Sequence, residues 1–173
     1  MTPFTENIIF IDTEFSSLNP YKGEILSIAL VKLNGEELYL ELQHNGEVDD
    51  WPKKHILPTL TQEKNSREKA VKEIQKFVGD TRPHLVAYVN TFDMIYLYKL
   101  FGLQECNELF HWLPVDFASM LFAQNIDPES LVDWSNENKF LEELKIDTSK
   151  YRQHNALDDA KLLREVYLRI NSI

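Results

Sequence analysis

Two carboxylates, one residue apart, follow the most apolar run near the start of this chain. The run Ile8-Ile9-Phe10-Ile11 leads directly into Asp12 and Glu14. Four consecutive large apolar residues predict a strand covered on both faces, and two ionised carboxylates at its end repel one another unless a cation lies between them. The context therefore predicts a divalent metal site. Asp127 and Glu129 have the same spacing without a strand before them, which predicts a solvated turn.

A third acid follows a second strand-like run. Asp93 comes after the apolar residues 84–89 and two good helix-capping residues, Asn90 and Thr91, so it is expected in the first turn of a mostly apolar helix. Acids are common in first turns because they interact favourably with the helix macrodipole. That effect alone explains Asp93, but its place at the end of a strand favours a contribution to the same site.

A histidine and a later acid form the third candidate group. His154 precedes a predicted helix, and Asp159 lies within that helix close to Ala156 and Ala160, whose small side chains allow a close approach to the sheet. Successive helical residues point about 100° apart, so only one of Asp158 and Asp159 can face the strand acids. Asp159 lies on the apolar stripe of the helix. Asp158 is predicted to face solvent or to act as a local cap.

The elements that must position these residues predict an α/β domain. Strands are expected at the start of the chain and at 24–33, 36–43, 84–89 and 113–115, and helices at 66–78, from 90 to 102, 116–124, 131–144 and 155–170, with an irregular segment at 46–61. Three strands followed by alternating helices and strands predict a mixed central sheet with helices packed against it. Sites in such sheets lie at the carboxyl ends of strands, where Asp12 and Glu14 are expected.

Composition limits the classes of protein that fit. A length of 173 residues with 43% hydrophobic content predicts a single domain over residues 1–173. The formal net charge of −10 argues against binding long duplex nucleic acid, but a short or single-stranded anion held through metal ions remains compatible with it. Cys106 is the single cysteine, which excludes an internal disulfide and a cysteine-rich zinc site. With neither a signal peptide nor an apolar stretch of membrane-spanning length, a cytoplasmic location without membrane contact is expected.

The three candidate groups resemble the exonuclease motifs of the DEDDh family of 3′-to-5′ exonucleases. The matching segments are Phe10-Ile11-Asp12-Thr13-Glu14, Asn90-Thr91-Phe92-Asp93 and His154-Asn155-Ala156-Leu157-Asp158-Asp159-Ala160, in the family's order and spacing. This family includes oligoribonuclease, RNase T and the proofreading subunits of replicative polymerases. The resemblance implies a ribonuclease H-like fold over nearly the whole chain, with three antiparallel-connected strands followed by parallel strands and helices flanking the sheet.

The resemblance also implies two-metal hydrolysis of a phosphodiester. The catalytic residues that it implies are Asp12, Glu14, Asp93, His154 and Asp159. One ion is expected on Asp12, Glu14 and Asp159, and a second on Asp12 and a largely water-mediated Asp93. Hard oxygen ligands suit two Mg²⁺ or Mn²⁺ ions. His154 is expected to be the general base, because an unperturbed imidazole titrates near neutral pH.

Four residues are candidates for contacts with the 3′ end of a substrate. The resemblance assigns Phe15 and Ser16 to the terminal nucleotide, although a core position explains Phe15 equally well. Asn90 is a third candidate, for which helix capping is the alternative explanation. Arg152 is the fourth, as a group that grips a phosphate upstream of the cut, although most such charges are merely solvated.

The expected function is that of a metal-dependent exoribonuclease that removes nucleoside 5′-monophosphates from the 3′ end of single-stranded or short RNA. The segment Trp51 to Pro58 favours RNA because it resembles small bacterial and phage exoribonucleases of the family. A 3′-to-5′ DNA exonuclease of the proofreading or repair type is the alternative. A non-catalytic nucleic-acid-binding protein is less favoured, because it would have little need for all five catalytic side chains.

Other readings of the sequence are weaker. The scattered histidines disfavour a zinc enzyme, and the absence of a phosphate-binding glycine motif disfavours a nucleotide hydrolase. Relatives in the family are often dimers, so a homodimer is a further expectation. Trp112, Trp134 or the Phe140-Leu141 region would then supply the interface, with a core position as the alternative for each.

Overall fold

A computed structural model describes residues 4–134 and 138–171. Within these ranges the strands are β1 (Ile8–Phe15), β2 (Ile25–Lys32), β3 (Glu37–Leu42), β4 (Lys64–Asn65), β5 (His84–Ala87) and β6 (Val115–Asp116). The helices are α1 (Asp50–His55), α2 (Arg67–Val78), α3 (Asn90–Phe101), α4 (Leu103–Leu109), α5 (Phe117–Ala123), α6 (Lys139–Glu143) and α7 (Ala156–Asn171). Short 3₁₀ turns occur at Leu57–Thr59, Pro128–Leu131 and Thr148–Lys150.

These strands form one mixed sheet in the order β4-β3-β2-β1-β5-β6. β1 and β2 pair antiparallel, as do β2 and β3, whereas β1 pairs parallel with β5 and β5 pairs parallel with β6. The predicted architecture, three antiparallel-connected strands followed by parallel strands with flanking helices, is therefore confirmed. The sequence did not predict β4, which adds a short parallel strand beside β3.

The side-chain alternation of β1 divides the core into two layers. Ile9 and Ile11 pack with α2 and α3 on one face of the sheet, and Ile8 and Phe10 pack with α7 on the other. Both faces of this strand are covered, as its continuous apolar run predicts. Because successive strand residues point to opposite faces, Asp12 and Glu14 share the face of Phe10. The intervening Thr13 points to the face of α3.

Helix α7 packs directly on β1 and β2. Its inward residues are all buried, as the sequence predicts: Ala156, Ala160, Leu163, Val166 and Tyr167. The two alanines have no exposed surface, and the Tyr167 ring meets the Phe10 ring edge to face at a centroid distance of 5.2 Å. Small side chains in the first turns therefore bring the acidic end of α7 close to the sheet.

The structure differs from the sequence prediction in the segment 46–61, which was expected to be irregular. It contains α1 and a 3₁₀ turn, anchored by the buried side chains of Pro52 and Ile56. A helix of six residues is too short to show a hydrophobic period, which explains the error. The short helix α4 was missed for the same reason.

The expected capping role of Asn90 is wrong. Val89 is the N-cap residue of α3 and makes no side-chain capping bond, and Asn90 is the first helical residue. Its backbone N–H donates instead to the Asp116 carboxylate at 3.0 Å. A side chain distant in sequence therefore does the work that a local cap would do.

Two later boundaries also shift. The last strand was expected at 113–115 and is found at β6. Within the expected helix at 131–144 the described residues contain the end of a 3₁₀ turn and then α6, while residues 135–137 lie outside the described part of the chain. No helix in the described ranges is long and apolar enough to cross a membrane.

Candidate active site

Three carboxylates from two elements meet at the carboxyl end of β1. One oxygen of Asp12, one of Glu14 and one of Asp159 all lie within 4.8 Å of one another. β1 supplies the first two from its face toward α7, and the first turn of α7 supplies the third. Pairing of β1 with a strand on each side fixes the backbone that carries them.

The fourth predicted acid, Asp93, approaches from the opposite face of the sheet. It lies in the first turn of α3, is 7% exposed, and lies outside the group of three whose oxygens converge. The hydroxyl of Thr13 donates a hydrogen bond to the Asp93 carboxylate at 2.7 Å. The residue between the two strand acids therefore ties the fourth acid to β1. Sequence reasoning did not assign a role to Thr13, although the alternation of a strand places it on the α3 side.

Burial raises the pKa of each of the four carboxyl groups, and the charges of neighbouring acids raise it further for Asp12, Glu14 and Asp159. Burial raises the pKa of Asp12 well above its ordinary value, and the charges of Asp159, Asp93 and Glu14 raise it further. Burial and the Asp93 charge raise the pKa of Glu14 to about 7, against a hydrogen bond with Asp159 that lowers it. The pKa of Asp159 is raised well above its ordinary value by burial and then by the charges of Glu14 and Asp158.

Asp93 follows the same pattern with a different balance. Burial raises its pKa to about 7, and hydrogen bonds from Thr13 oppose the shift. Glu14 and Asp93 are buried, and Asp12 and Asp159 are half-buried. Four such acids fit divalent cations, because bound cations favour the ionised carboxylates that burial disfavours. Their donor set consists of hard carboxylate oxygens, which suits Mg²⁺ or Mn²⁺ better than metals that prefer sulfur ligands.

His154 stands at the entrance to α7 with a positive φ of 63°. Asn155, which is 4% exposed, follows it, and its side chain accepts a hydrogen bond from the Asp158 backbone N–H at 3.3 Å, which starts the helix. A hydrogen bond from the His154 backbone lowers the pKa of Asp159. Burial, followed by the charge of His55, lowers the pKa of the His154 imidazole, which favours the neutral form that can accept a proton.

A cleft of about 290 Å³ contains His154 together with the three convergent carboxylates. Its other wall is formed mainly by Tyr88, Val132, Trp134 and Gln153, which the sequence did not single out as site residues. The Gln153 side chain donates to the Val132 carbonyl at 2.8 Å. Among the described residues that line the cleft there is no lysine or arginine.

Of the residues assigned to the terminal nucleotide, Phe15 is half-buried and Ser16 is fully buried. The Phe15 ring stacks on the Tyr96 ring at a centroid distance of 4.7 Å. The Ser16 N–H donates to the Glu24 carbonyl, its hydroxyl accepts from the Glu24 N–H, and its carbonyl accepts from the Asp49 N–H. Ser16 thus holds the end of β1, and it has no exposed surface for a substrate contact.

The other two substrate candidates are more accessible. Asn90 is half-buried at the start of α3. The Arg152 side chain is 70% exposed, and its Nε forms an ion pair with the Asp158 carboxylate at 2.9 Å. Asp158, for which the sequence predicted a solvated or capping role, thereby holds Arg152 close to the start of α7.

Comparison with known proteins agrees with this geometry. The family model described as Exonuclease matches residues 9–167. A search of curated protein sequences gives no match. Among solved structures, Exonuclease I from Methylocaldum szegediense matches with a TM-score of 0.62 at 18% identity, over 94% of this chain and 40% of that chain.

Two further Exonuclease I structures show the same fold. One, whose structure suggests how processivity is achieved, matches with a TM-score of 0.67 at 13% identity, over 95% of this chain and 40% of that chain. The E. coli enzyme in complex with a dA16 oligonucleotide matches with a TM-score of 0.60 at 14% identity, over 95% of this chain and 41% of that chain. This chain therefore spans about 40% of the length of these proteins.

The family match covers most of the chain, and it includes all the residues that the sequence motifs and the cleft bring together. The solved structures independently show the same fold. The chain belongs to the exonuclease family, as a DEDDh-type member of the ribonuclease H-like superfamily.

Proposed function

We propose that this protein is a metal-dependent 3′-to-5′ exonuclease that releases nucleoside 5′-monophosphates from single-stranded or short RNA. The observation that carries the proposal is the convergence of Asp12, Glu14 and Asp159 within 4.8 Å, with His154 in the same cleft. Asp93, bonded to Thr13 on the same strand, completes the acidic group. A fold retained only for binding would gain nothing from four buried or half-buried acids with raised pKa values.

In this proposal Asp12, Glu14 and Asp159 would hold one divalent cation, and Asp12 with Asp93, largely through water, would hold the other. Two bound ions would lower the pKa of the attacking water and would stabilise the charge that develops on the departing oxygen. The contribution of the protein is to fix the carboxylates from both faces of β1 before substrate arrives. This arrangement removes the cost of organising charges during the reaction.

His154 accepts the proton of the attacking water on its ring. Its lowered pKa keeps the imidazole neutral near pH 7, so the group is ready to act as a base. The position of His154 before α7 places it beside Asp159, and therefore beside the expected metal ligands.

The proposed substrate has a free, single-stranded 3′ end. The cleft of about 290 Å³ is small, and its wall of Tyr88, Val132 and Trp134 offers aromatic and apolar surface for an unpaired base. An Exonuclease I from E. coli has been solved with single-stranded DNA, which supports this mode of binding in the fold. Asn90 and Arg152 are the side chains that the proposal assigns to the terminal nucleotide and to an upstream phosphate.

RNA is the proposed polymer because the segment Trp51 to Pro58 resembles exoribonucleases, and in the structure its tryptophan contacts His154. DNA is the second candidate, since the solved neighbours include complexes with DNA oligonucleotides. Both candidates use the same carboxylates, so the site chemistry is common to them.

The test uses matched single-stranded RNA and DNA oligonucleotides of one sequence, labelled at the 5′ end, with Mg²⁺ or Mn²⁺. We expect a ladder of products shortened from the 3′ end, release of mononucleotides, and faster loss of the RNA. Asp12→Asn and Asp159→Asn should each abolish the metal-dependent ladder. Faster loss of DNA would establish the second candidate, and no shortening of either polymer with either metal would refute the enzymatic proposal.

A further inference from the structure

Three aromatic side chains lie in contact next to the proposed active site. The Trp51 ring meets the His154 ring edge to face, with the centroids 4.9 Å apart and the planes at 89°. Trp51 also stacks with His55, with the ring centroids 5.0 Å apart and the ring planes at 27°. Trp51 is 49% exposed, so the cluster lies at the rim of the cleft.

His154 has little else to orient its ring. A catalytic base is normally held by a third group that bonds its far nitrogen. Among the described residues, the structure shows no hydrogen bond to the His154 ring, and the bond from this residue to Asp159 comes from its backbone. The residue also stands in a loop at a positive φ of 63°, outside α7. Among the described residues, Trp51 is the aromatic residue whose ring contacts the His154 ring.

The element that carries Trp51 is fixed at both of its ends. Before α1, the Asp49 N–H donates to the Ser16 carbonyl at 2.9 Å, which ties the helix to the end of β1. After the following 3₁₀ turn, the N–H groups of Thr61 and Gln62 donate to the Glu41 carboxylate at 2.9 and 3.0 Å. Glu41 itself is 1% exposed and lies in β3. The segment that contains α1 and Trp51 is therefore hydrogen-bonded on both sides to the sheet that carries the acids.

We propose that Trp51, supported by His55, is a positioning residue that holds the His154 ring in its catalytic orientation. The inference rests on the proposed function, because it assumes that His154 is the base. The competing role for an exposed tryptophan is stacking on a substrate base. Stacking would strengthen substrate binding and would leave turnover unchanged. The two roles predict different kinetic parameters.

The kinetic test compares Trp51→Ala with Trp51→Phe, using Trp112→Ala as the matched control. Trp112 is 65% exposed and contacts His111 rather than His154. Since misplacement of a catalytic group by about 1 Å can cost about 100-fold, kcat of Trp51→Ala should fall by about tenfold or more with KM changed less than about threefold. Trp51→Phe should restore most of kcat, and Trp112→Ala should match the wild type. A raised KM with unchanged kcat, or no change in either, would overturn the positioning role.

A second measurement does not depend on activity. The ring protons of His154, assigned by their loss in His154→Gln, are followed by NMR in the folded metal-free protein. We expect Trp51→Ala to move these resonances by removing the ring current of the indole, and Trp51→Phe to move them less. Unchanged His154 resonances in Trp51→Ala overturn the inference whatever the activity. If they shift while the wild-type protein degrades no nucleic acid, the contact stands and it is the proposed function that fails.

Discussion

At the scale of single residues, the surroundings of the four acids disfavour their ionised forms. Burial raises the pKa of Glu14 from 4.5 to about 7 and that of Asp93 from 3.8 to about 7. Asp12 and Asp159 shift in the same direction. The cluster therefore links the stability of the fold to both pH and metal.

The first prediction is that the metal-free protein loses stability as the pH rises from about 4 to about 7. In this window the unfolded chain has released the protons of Glu14 and Asp93 while the folded protein still holds them, so the free energy of unfolding decreases with pH. For Glu14 the loss is on the order of 3 kcal/mol, since each pKa unit corresponds to about 1.4 kcal/mol. Chemical denaturation with a chelator present, repeated across this pH range, measures the effect.

The matched control is Glu14→Gln, which cannot ionise and should flatten the decline. Because cations bind the ionised carboxylates, added Mg²⁺ should raise the unfolding midpoint more at high pH than at low pH. If Glu14→Gln loses as much stability with pH as the wild type, the raised pKa of Glu14 is wrong.

A second prediction concerns His154 as the base. His154→Ala should keep metal and substrate binding, because the substitution leaves the carboxylates that we propose as metal ligands untouched. Its turnover should fall by about 10² to 10⁴, the usual value of a positioned base. Metal binding by calorimetry and single-turnover rates on an RNA oligonucleotide separate the two effects. Wild-type rates in the variant would remove His154 from the mechanism.

At the scale of elements, a hydrogen bond between β1 and α3 connects the fourth acid, Asp93, to the strand that bears Asp12 and Glu14. Thr13 is 5% exposed, and it is the hydroxyl donor that the structure provides to Asp93 from the strand. We predict that Thr13→Val, which keeps the shape but removes the donor, destabilises the metal-bound protein by about 1 to 3 kcal/mol. It should also raise the pKa of Asp93, because the Thr13 bond lowers it. Thermal unfolding with Mg²⁺ and the pH profile of activity test both expectations.

The control for this element is Thr13→Ser, which retains a hydroxyl at the same position. It should recover most of the stability and activity that Thr13→Val loses. Wild-type stability in Thr13→Val, or a loss in Thr13→Ser as large as that in Thr13→Val, would contradict a dominant role for the bond to Asp93.

At the scale of the whole molecule, charge limits how a nucleic acid can be held. The net charge is −10, and among the described residues the cleft is lined by no lysine or arginine. Arg152 is the cation that the proposal assigns to a phosphate, and it is already paired with Asp158. Binding should therefore depend on bases and metal ions more than on phosphate contacts.

The fourth prediction is a weak dependence of KM on monovalent salt. Each phosphate neutralised on a single strand contributes a slope of about −0.7 to log affinity against log salt. With one such contact, KM should rise less than about threefold between about 50 and about 200 mM salt at constant Mg²⁺. A tenfold or larger rise in KM would show that the substrate makes several phosphate contacts outside the cleft. Arg152→Gln should flatten the remaining slope.

The expected homodimer stays a prediction at this scale. Leu141 is buried in the core, and Trp134 and Phe140 pack against it partly buried, which agrees with the core alternative for that region. Trp112 remains largely exposed. Of the residues proposed for a dimer interface, Trp112 is therefore the one whose side chain is accessible to a partner.

Local patterns in the sequence were sufficient for the mixed sheet, for the inward face of α7 and for the three motifs that carry the acids. Each depends on neighbours within a few residues: alternation along β1, the 3.6-residue period along α7, and the spacing of His154 from Asp159. Patterns of this kind failed where elements are very short, as in α1 and α4, and where a distant side chain replaced a local cap, as Asp116 does for Asn90.

Only the tertiary structure decided which side of the sheet each acid comes from and what surrounds His154. The bond from Thr13 to Asp93 joins residues 80 positions apart, and the contact of Trp51 with His154 joins helix α1 to the loop before α7, with most of the fold between them in sequence. No local period encodes such pairs, because they depend on how the helices pack against both faces of β1. The sequence determined which groups could do the chemistry, and packing determined the distances at which they can do it.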